Sequence, residues 1–320
     1  GESWIRDGRT RALLGATFLL LAAAGWLALR PGAPETGPVA GPPHQYAIDD
    51  SLRTDVLIDI SRGGDVVYKA TVDGRQHLRL RRATDLEATE IPNTTDADFP
   101  SFSPDGEWVA FAVDGQLRKV QLATGTVVTL VPAGERDFLL FPQWARDGTI
   151  LFVGPEGFYR VPDVGGEPEL IEKKSPSPIF PRLLPDGRTI LYTDMAQNNP
   201  ANGRVMTHDI ETGDTATIAD PAGNAFWSPT GHILYGHPSA TVFAVPFDLD
   251  RREMVGPPIP VRENVFSVGA ISFFALSETG SLVYIGGSGA SVDLTEVAFA
   301  WVGPDGGLTP AGRETPAPRW

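Results

Sequence analysis

Ser103-Pro104-Asp105-Gly106-Glu107-Trp108-Val109-Ala110-Phe111 is a turn followed by a strand, and worn copies of it return at near-regular intervals along the chain. Serine can bond the backbone ahead of it, proline presets φ, and glycine takes the left-handed conformation. The tetrapeptide therefore predicts a type I turn that closes a hairpin. The other copies are Ser61-Arg62-Gly63-Gly64, Ala145-Arg146-Asp147-Gly148, Leu184-Pro185-Asp186-Gly187, Ser228-Pro229-Thr230-Gly231 and Ser277-Glu278-Thr279-Gly280. All of them keep the final glycine, the residue that the backbone geometry demands.

The closing glycines Gly64, Gly106, Gly148, Gly187, Gly231 and Gly280 stand 42, 42, 39, 44 and 49 residues apart. The aromatics Tyr68, Phe111, Phe152, Tyr192, Tyr235 and Tyr284 keep step just after them. An apolar strand precedes each turn, as in Phe141-Pro142-Gln143-Trp144 and Ala225-Phe226-Trp227. A second turn recurs at Thr124-Gly125, Gly165-Gly166, Thr212-Gly213, Asp248-Leu249-Asp250 and Asp305-Gly306. Alternating runs such as Leu117-Arg118-Lys119-Val120-Gln121-Leu122 and Val242-Phe243-Ala244-Val245-Pro246-Phe247 read as half-buried strands. A period of about 40 to 50 residues with roughly four short strands is that of a propeller blade, rather than of an irregular β-sandwich. The predicted fold is all-β: a β-propeller of about six four-stranded blades over residues 44–312, preceded by one transmembrane helix.

Composition agrees, since 35 glycines and 29 prolines punctuate a chain that is 42% hydrophobic and shows no long amphipathic helical pattern. The absence of cysteine excludes a disulfide framework and a cysteine-ligated metal site. A net charge of −14 disfavours nonspecific nucleic-acid binding. Arg79, Arg81 and Arg82 read as a solvated basic strand edge that guards against edge pairing.

Residues 12–29 are an uninterrupted uncharged run, long enough at about 1.5 Å per residue to approach the thickness of a hydrocarbon core. Arg6, Arg9 and Arg11 precede it and Arg30 follows, which places the N-terminus in the cytoplasm and the propeller outside it. The expected location is thus the cytoplasmic membrane, single-pass. A cleaved signal peptide is the rival, because Ala22-Ala23-Ala24-Gly25 offers small residues, but Trp26-Leu27-Ala28-Leu29 extends the apolar run past that point. Residues 1–11 then form a cytoplasmic tail and residues 30–43, rich in Pro, Gly and Ala, a tether. Gly1-Glu2-Ser3-Trp4 does not look like a natural start. Pro316-Ala317-Pro318-Arg319-Trp320 repeats the opening of a blade, so residues 313–320 read as a truncated end or the start of a further repeat.

The Ser103 to Phe111 block resembles the WD-like, TolB-type propeller repeat of bacterial exported proteins. More narrowly, the order of segments resembles the extracytoplasmic part of membrane-anchored bacterial serine/threonine protein kinases. The matching elements are the apolar run, Asp55-Val56-Leu57-Ile58-Asp59-Ile60-Ser61, Gly157-Phe158-Tyr159-Arg160-Val161-Pro162 with Gly165-Gly166-Glu167-Pro168, Phe243-Ala244-Val245-Pro246-Phe247-Asp248, and Ala300-Trp301-Val302 before Asp305-Gly306. That resemblance implies a non-catalytic sensor or interaction module for a protein or small molecule outside the cytoplasm. Coupling to a kinase domain ahead of the membrane helix would run through residues 12–29 by dimerisation. Two alternatives belong to other classes: a TolB-like envelope scaffold, and the propeller of a prolyl-oligopeptidase-like hydrolase whose catalytic domain lies beyond Trp320.

The chain itself carries no Gly-rich phosphate loop, H-R-D, D-F-G or Walker lysine loop. Gly286-Gly287-Ser288-Gly289-Ala290 approaches a nucleophile elbow but lacks its last glycine and sits between strands, which favours a flexible insertion. The histidines His44, His77, His208, His232 and His237 lack zinc-pair spacing. Asp105, Asp147 and Asp186 sit in repeated turns, where a carboxylate bonds local backbone more readily than calcium. Trp108, Trp144 and Trp227 read as inter-blade core rather than a sugar-stacking platform. The expectation is a non-enzyme with no catalytic, cofactor or metal residue and no cofactor. The loop from Asp194 to Arg204 is the best guess for recognition, with the binding residues otherwise unspecified.

Overall fold

The computed structural model describes residues 57–310 apart from 73, 86, 135–138, 174–177, 196–202, 270, 288–296 and 303–306. They form an all-β propeller in which five sheets have four strands and a further sheet has five. The first sheet contains β1 (Ile58–Ile60), β2 (Val66–Val72), β3 (Arg75–Arg81) and β4 (Thr89–Glu90). The second holds β5 (Asp98–Phe102), β6 (Trp108–Val113), β7 (Gln116–Gln121) and β8 (Val127–Val131). Next come β9 (Leu140–Trp144), β10 (Thr149–Gly154), β11 (Gly157–Pro162) and β12 (Glu169–Lys173). They are followed by β13 (Pro178–Leu183), β14 (Thr189–Met195), β15 (Gly203–Asp209) and β16 (Thr215–Ala219).

The five-stranded sheet is built from β17 (Ala225–Ser228), β18 (His232–His237), β19 (Thr241–Asp248), β20 (Glu253–Met254) and β21 (Ile259–Arg262). Both β20 and β21 pair with β19. A two-stranded ribbon, β22 (Ser267–Val268) and β23 (Ile271–Ser272), leads to the last sheet. That sheet is β24 (Phe274–Leu276), β25 (Ser281–Ile285), β26 (Val297–Val302) and β27 (Leu308–Pro310). In each four-stranded sheet every strand pairs antiparallel with the next in sequence, as the repeat of short alternating runs predicts.

The repeated turn does what its sequence requires. Gly106 N–H donates to Ser103 O at 2.9 Å, and Ser103 Oγ accepts Trp108 N–H at 2.9 Å while donating to Asp105 Oδ1 at 2.5 Å. The closing glycines of the turn copies have φ between +71° and +89°, which only glycine adopts without strain. In the second turn family Gly125, Gly165 and Gly213 are also left-handed, and Arg252 takes that conformation near the Asp248-Leu249-Asp250 turn. Asp305-Gly306 lies outside the described residues.

The core lies between sheets rather than within one. Val67, Leu78 and Leu80 of the first sheet pack with Phe102, Val109 and Phe111 of the second. Another cluster joins Ala110 and Leu117 to Trp144, Ile150 and Phe152. Phe226 and Leu234 meet Phe274 and Val283 of the last sheet in a cluster that also holds Tyr68 of the first. Each face thus buries apolar residues that its own sheet cannot cover.

The expected basic strand edge is corrected. Strand β3 is paired on both sides, by β2 and β4, so it is no edge. Arg81 is only 4% exposed and its Nη2 donates to Asp85 O at 2.7 Å; Arg79 Nη2 donates to Ala88 O, and Arg82 Nη1 reaches Asp65 Oδ2 at 3.0 Å. Arg79 and Arg81 thus supply donors to the Ala88 and Asp85 carbonyls, and Arg82 is held by the Asp65 carboxylate. The apolar segment 12–29 lies outside the described residues, and among the described residues no helix is long and apolar enough to cross a membrane.

Candidate functional site

Seven residues before the closing glycine, three successive repeats carry the dipeptide Phe-Pro: Phe99-Pro100, Phe141-Pro142 and Phe180-Pro181. A residue before proline is pushed towards extended backbone, yet these phenylalanines have φ of 53°, 54° and 52°. Left-handed backbone at a non-glycine residue costs about 1 to 3 kcal/mol and tends to collect at functional sites. At each Phe-Pro the pairing with the next strand slips, so a β-bulge re-aims the side chain. The result is an aromatic collar: Phe99 and Phe141 meet edge-on with centroids 4.3 Å apart, and Phe141 and Phe180 do so at 4.6 Å.

The collar lines a cleft among the innermost strands, together with Gln143, Arg182, Asn224 and Phe226, with about 570 Å³ of space when the part open to solvent is included. Gln143, Arg182 and Phe226 also line a second cavity of about 860 Å³, bounded by turn residues such as Arg146, Pro185, Pro229 and Glu278. These side chains therefore form a layer between two axial spaces.

Position five before the closing glycine explains that layer. Asp59 Oδ2 accepts Phe102 N–H at 2.8 Å, Ser101 Oγ accepts Trp144 N–H at 3.1 Å, and Gln143 Oε1 accepts Leu183 N–H at 2.8 Å. Three successive sheets thus each latch onto the backbone of the next. Gln143→Leu is expected to leave the Leu183 N–H without its acceptor and cost about 1 to 2 kcal/mol. Urea unfolding measures this, and Gln143→Glu, which keeps an acceptor, should lose less.

The next residue in this series is Arg182, and arginine cannot accept a hydrogen bond. Its guanidinium instead lies over the Phe226 ring, 3.8 Å from the centroid. Its Nε is buried and finds no acceptor among the described residues. Burial pulls the Arg182 pKa down to about 10 against the attraction of Asp59. Burial also raises the Asp59 carboxyl above its ordinary value, opposed by Arg182 and by the backbone N–H groups of Phe102 and Ile60. The pair is coupled through space at the heart of the ring.

The turn-side cavity has a charged rim built from turns that lost their proline. Arg146 Nε donates to Glu278 Oε1 at 2.9 Å, and Arg62 Nη1 lies 3.6 Å from Glu278 Oε2. Each of the three occupies the second position of its turn. The arginines are about half exposed, at 51% and 54%, so solvent screens the rim and it adds little stability.

The residues singled out in the sequence fall elsewhere. Asp147 Oδ1 accepts Thr149 N–H at 3.0 Å and Asp186 Oδ1 accepts Thr189 N–H at 2.9 Å, so their carboxylates serve local backbone, as does that of Asp105 for Glu107 N–H at 2.9 Å. His77 faces Glu90 at 3.2 Å, His208 faces Glu172 at 3.7 Å, and His237 bonds Ser239, which keeps the described histidines apart. His232 Nδ1 pairs with Thr230. Trp144 lies in an inter-sheet core against which Trp108 packs, with Lys119 Nζ over both rings, and Trp227 packs edge-on to Phe247. His44, Ser288 to Ala290, and residues 196–202 of the expected recognition loop lie outside the described residues. The Phe-Pro repeat and Arg182 were missed, although a Phe-Pro seven residues before each of Gly106, Gly148 and Gly187 is visible in the sequence.

No protein-family model matches the chain. Dipeptidyl-peptidase 5 of Trichophyton equinum is 29% identical over 251 residues, covering 75% of this chain and 30% of that protein. The chain thus spans under a third of the length of the curated relatives it matches. Among solved structures, a puromycin-hydrolyzing peptidase of Mycobacterium tuberculosis superposes with a TM-score of 0.53 at 16% identity, covering 80% of this chain and 46% of that one. TolB of Acinetobacter baumannii gives 0.51 at 17% identity, over 65% of this chain and 54% of that one. The TolB-type propeller fold is supported. The expectation of a non-enzyme is overturned, because relatives aligned with three quarters of the chain are named as peptidases. The kinase-coupled sensor reading gives way with it to the hydrolase alternative.

Proposed function

We propose that this chain is the propeller module of a dipeptidyl-peptidase-like hydrolase whose catalytic domain lies outside these 320 residues. The observation that carries the reading is the 251-residue alignment with dipeptidyl-peptidase 5. The axial cleft supports it by presenting a concave, mostly apolar lining with a few polar side chains, among them Gln143, Arg182 and Asn224. Catalysis would belong to the other domain, because the G-x-S-x-G pattern is incomplete at Gly286 to Ala290. Within the module we propose a ring closed by six blades. Contact of β24 with β1, the Thr279 Oγ1 bond to Arg62 O at 3.3 Å and the Arg62–Glu278 pair all support that closure. We further propose that residues 12–29 hold the propeller at a membrane, outside the cytoplasm; extraction of the native protein by alkaline carbonate would remove that assignment.

The test of the hydrolase reading uses the full-length gene product. It should release p-nitroaniline from dipeptidyl p-nitroanilides and take a fluorophosphonate label on a segment outside this chain. A purified, folded full-length protein that neither hydrolyses these substrates nor takes the label overturns the reading.

A further inference from the structure

We propose that the axial cleft is a binding site for an apolar monocarboxylate, with Arg182 taking the carboxylate and Phe99, Phe141 and Phe180 taking the apolar group.

The latch between sheets stops at the fourth of the register positions. Five residues before the closing glycine, Asp59, Ser101 and Gln143 each accept a backbone N–H of the following sheet. Arg182 occupies the same position and cannot perform that task; Phe226 and Ala275, which follow it in the register, cannot either, but Arg182 alone of the three is charged, and it sits between two cavities with its Nε unpartnered. What Arg182 gains instead is the face of the Phe226 ring, which leaves a buried guanidinium N–H without an acceptor, a local cost of the kind that natural sequences carry at functional sites. Guanidinium presents a planar fork of donors that matches a carboxylate bidentately. Its stacking on Phe226 fixes the plane of that fork.

Neighbouring groups select the anion. Asp59 does not occupy the fork, since its oxygens serve the Phe102 and Ile60 backbone, yet its charge acts on Arg182. With Arg182 and Asp59 both charged the empty site is near neutral, so a monocarboxylate leaves a single excess negative charge where a dianion such as phosphate would leave two and be repelled more strongly by Asp59. Asn224 Oδ1 is taken by Ser272 N–H at 3.0 Å, which leaves its amide N–H₂ as a further donor on the cleft wall. The apolar half is set by the collar, whose backbone strain is retained in three consecutive sheets. Aromatic rings held edge-to-face present a rigid apolar wall with little side-chain entropy left to lose.

The same chemistry could come from the C-terminal carboxylate of a peptide ending in an apolar residue or from a free aryl acid. Calorimetric titration of the 320-residue chain separates them. The probes are N-acetylphenylalanine, its amide, 3-phenylpropionate, and a short peptide ending in phenylalanine with a free or an amidated C-terminus. The acids should bind with Kd on the order of 0.1 mM and the amides roughly 10- to 100-fold more weakly. Tighter binding of the peptide than of 3-phenylpropionate identifies a peptide C-terminus; the reverse order identifies a free acid.

R182Q should weaken acid binding by about the same 10- to 100-fold while leaving amide binding unchanged. F141A should weaken both. Equal binding of acid and amide, R182Q binding the acid like the unaltered chain, or no saturation at about 1 mM would each overturn the proposal. If R182Q does not fold, the acid-against-amide comparison on the unaltered chain decides. Because no hydrolase domain takes part, failure here leaves the peptidase reading to its own assay.

Discussion

Phe111→Ala is expected to lower the free energy of unfolding by about 3 to 5 kcal/mol, the cost of deleting a large buried aromatic. Phe111 is 0% exposed in the middle of β6 and belongs to one buried cluster with Val67, Leu78 and Leu80 of the preceding sheet. Truncation opens a cavity between two sheets that are each pinned by their own ladders, so collapse to fill it is hindered. At roughly 2 to 4 °C per kcal/mol for a domain of this size, the melting temperature should drop by roughly 10 °C. Urea unfolding should show a lower midpoint with an unchanged slope. Phe111→Leu, which retains most of the volume, should lose less than half as much. Trp108→Ala, three residues earlier and half-buried, is the comparison: a loss equal to that of Phe111→Ala would mean that the register aromatics carry no special share of the core.

That prediction follows from what the sequence already displays. The residues that keep step with the turn glycines, from Tyr68 to Tyr284, are all buried at 6% exposure or less. Glycine at the turn and an aromatic four or five residues on are local necessities, imposed by a φ angle and by an inter-sheet face, and local necessities leave a periodic mark. The apolar mouth was legible in principle by the same means, through Phe-Pro at a constant offset. Phe141-Pro142 reads in the sequence only as part of an apolar strand before the turn, whereas Phe-Pro here marks a bulge that turns three rings inward. Arg182 could not be read this way. Its meaning comes from the latches made by Asp59, Ser101 and Gln143, and those are contacts between residues 40 to 43 positions apart. The basic strand was misread for a related reason: Arg79, Arg81 and Arg82 cluster in sequence, but the partners that engage them are carbonyls and a carboxylate supplied by the connections between strands.

Asp209→Ala is expected to cost about 2 to 3 kcal/mol, since it strips a charge-assisted cluster at a junction between neighbouring sheets. Asp209 is 3% exposed; its Oδ1 accepts Glu211 N–H at 2.9 Å and Thr212 N–H at 3.1 Å. Its Oδ2 receives Arg188 Nη2 at 2.6 Å and Arg252 Nη1, the latter from the adjoining sheet. Burial alone would raise its pKa, but the Arg188 hydrogen bond and the backbone donors of Thr212 and Glu211 hold it below the ordinary 3.8. The folded protein therefore binds fewer protons at this site than the unfolded chain. Its stabilising contribution is complete above the unfolded value and is lost as pH falls through the folded one. Asp59 runs the other way: its raised pKa means that the ionised form costs stability, and that cost disappears as pH falls from the raised value towards 3.8. Asp209→Asn should accordingly flatten the fall in stability below about pH 4, while Asp59→Asn, which can keep the Phe102 acceptor, should lessen the change above it. Urea midpoints taken across that range test both signs together. An acid limb unchanged by Asp209→Asn would mean that the arginines, and not the carboxylate between them, hold this junction.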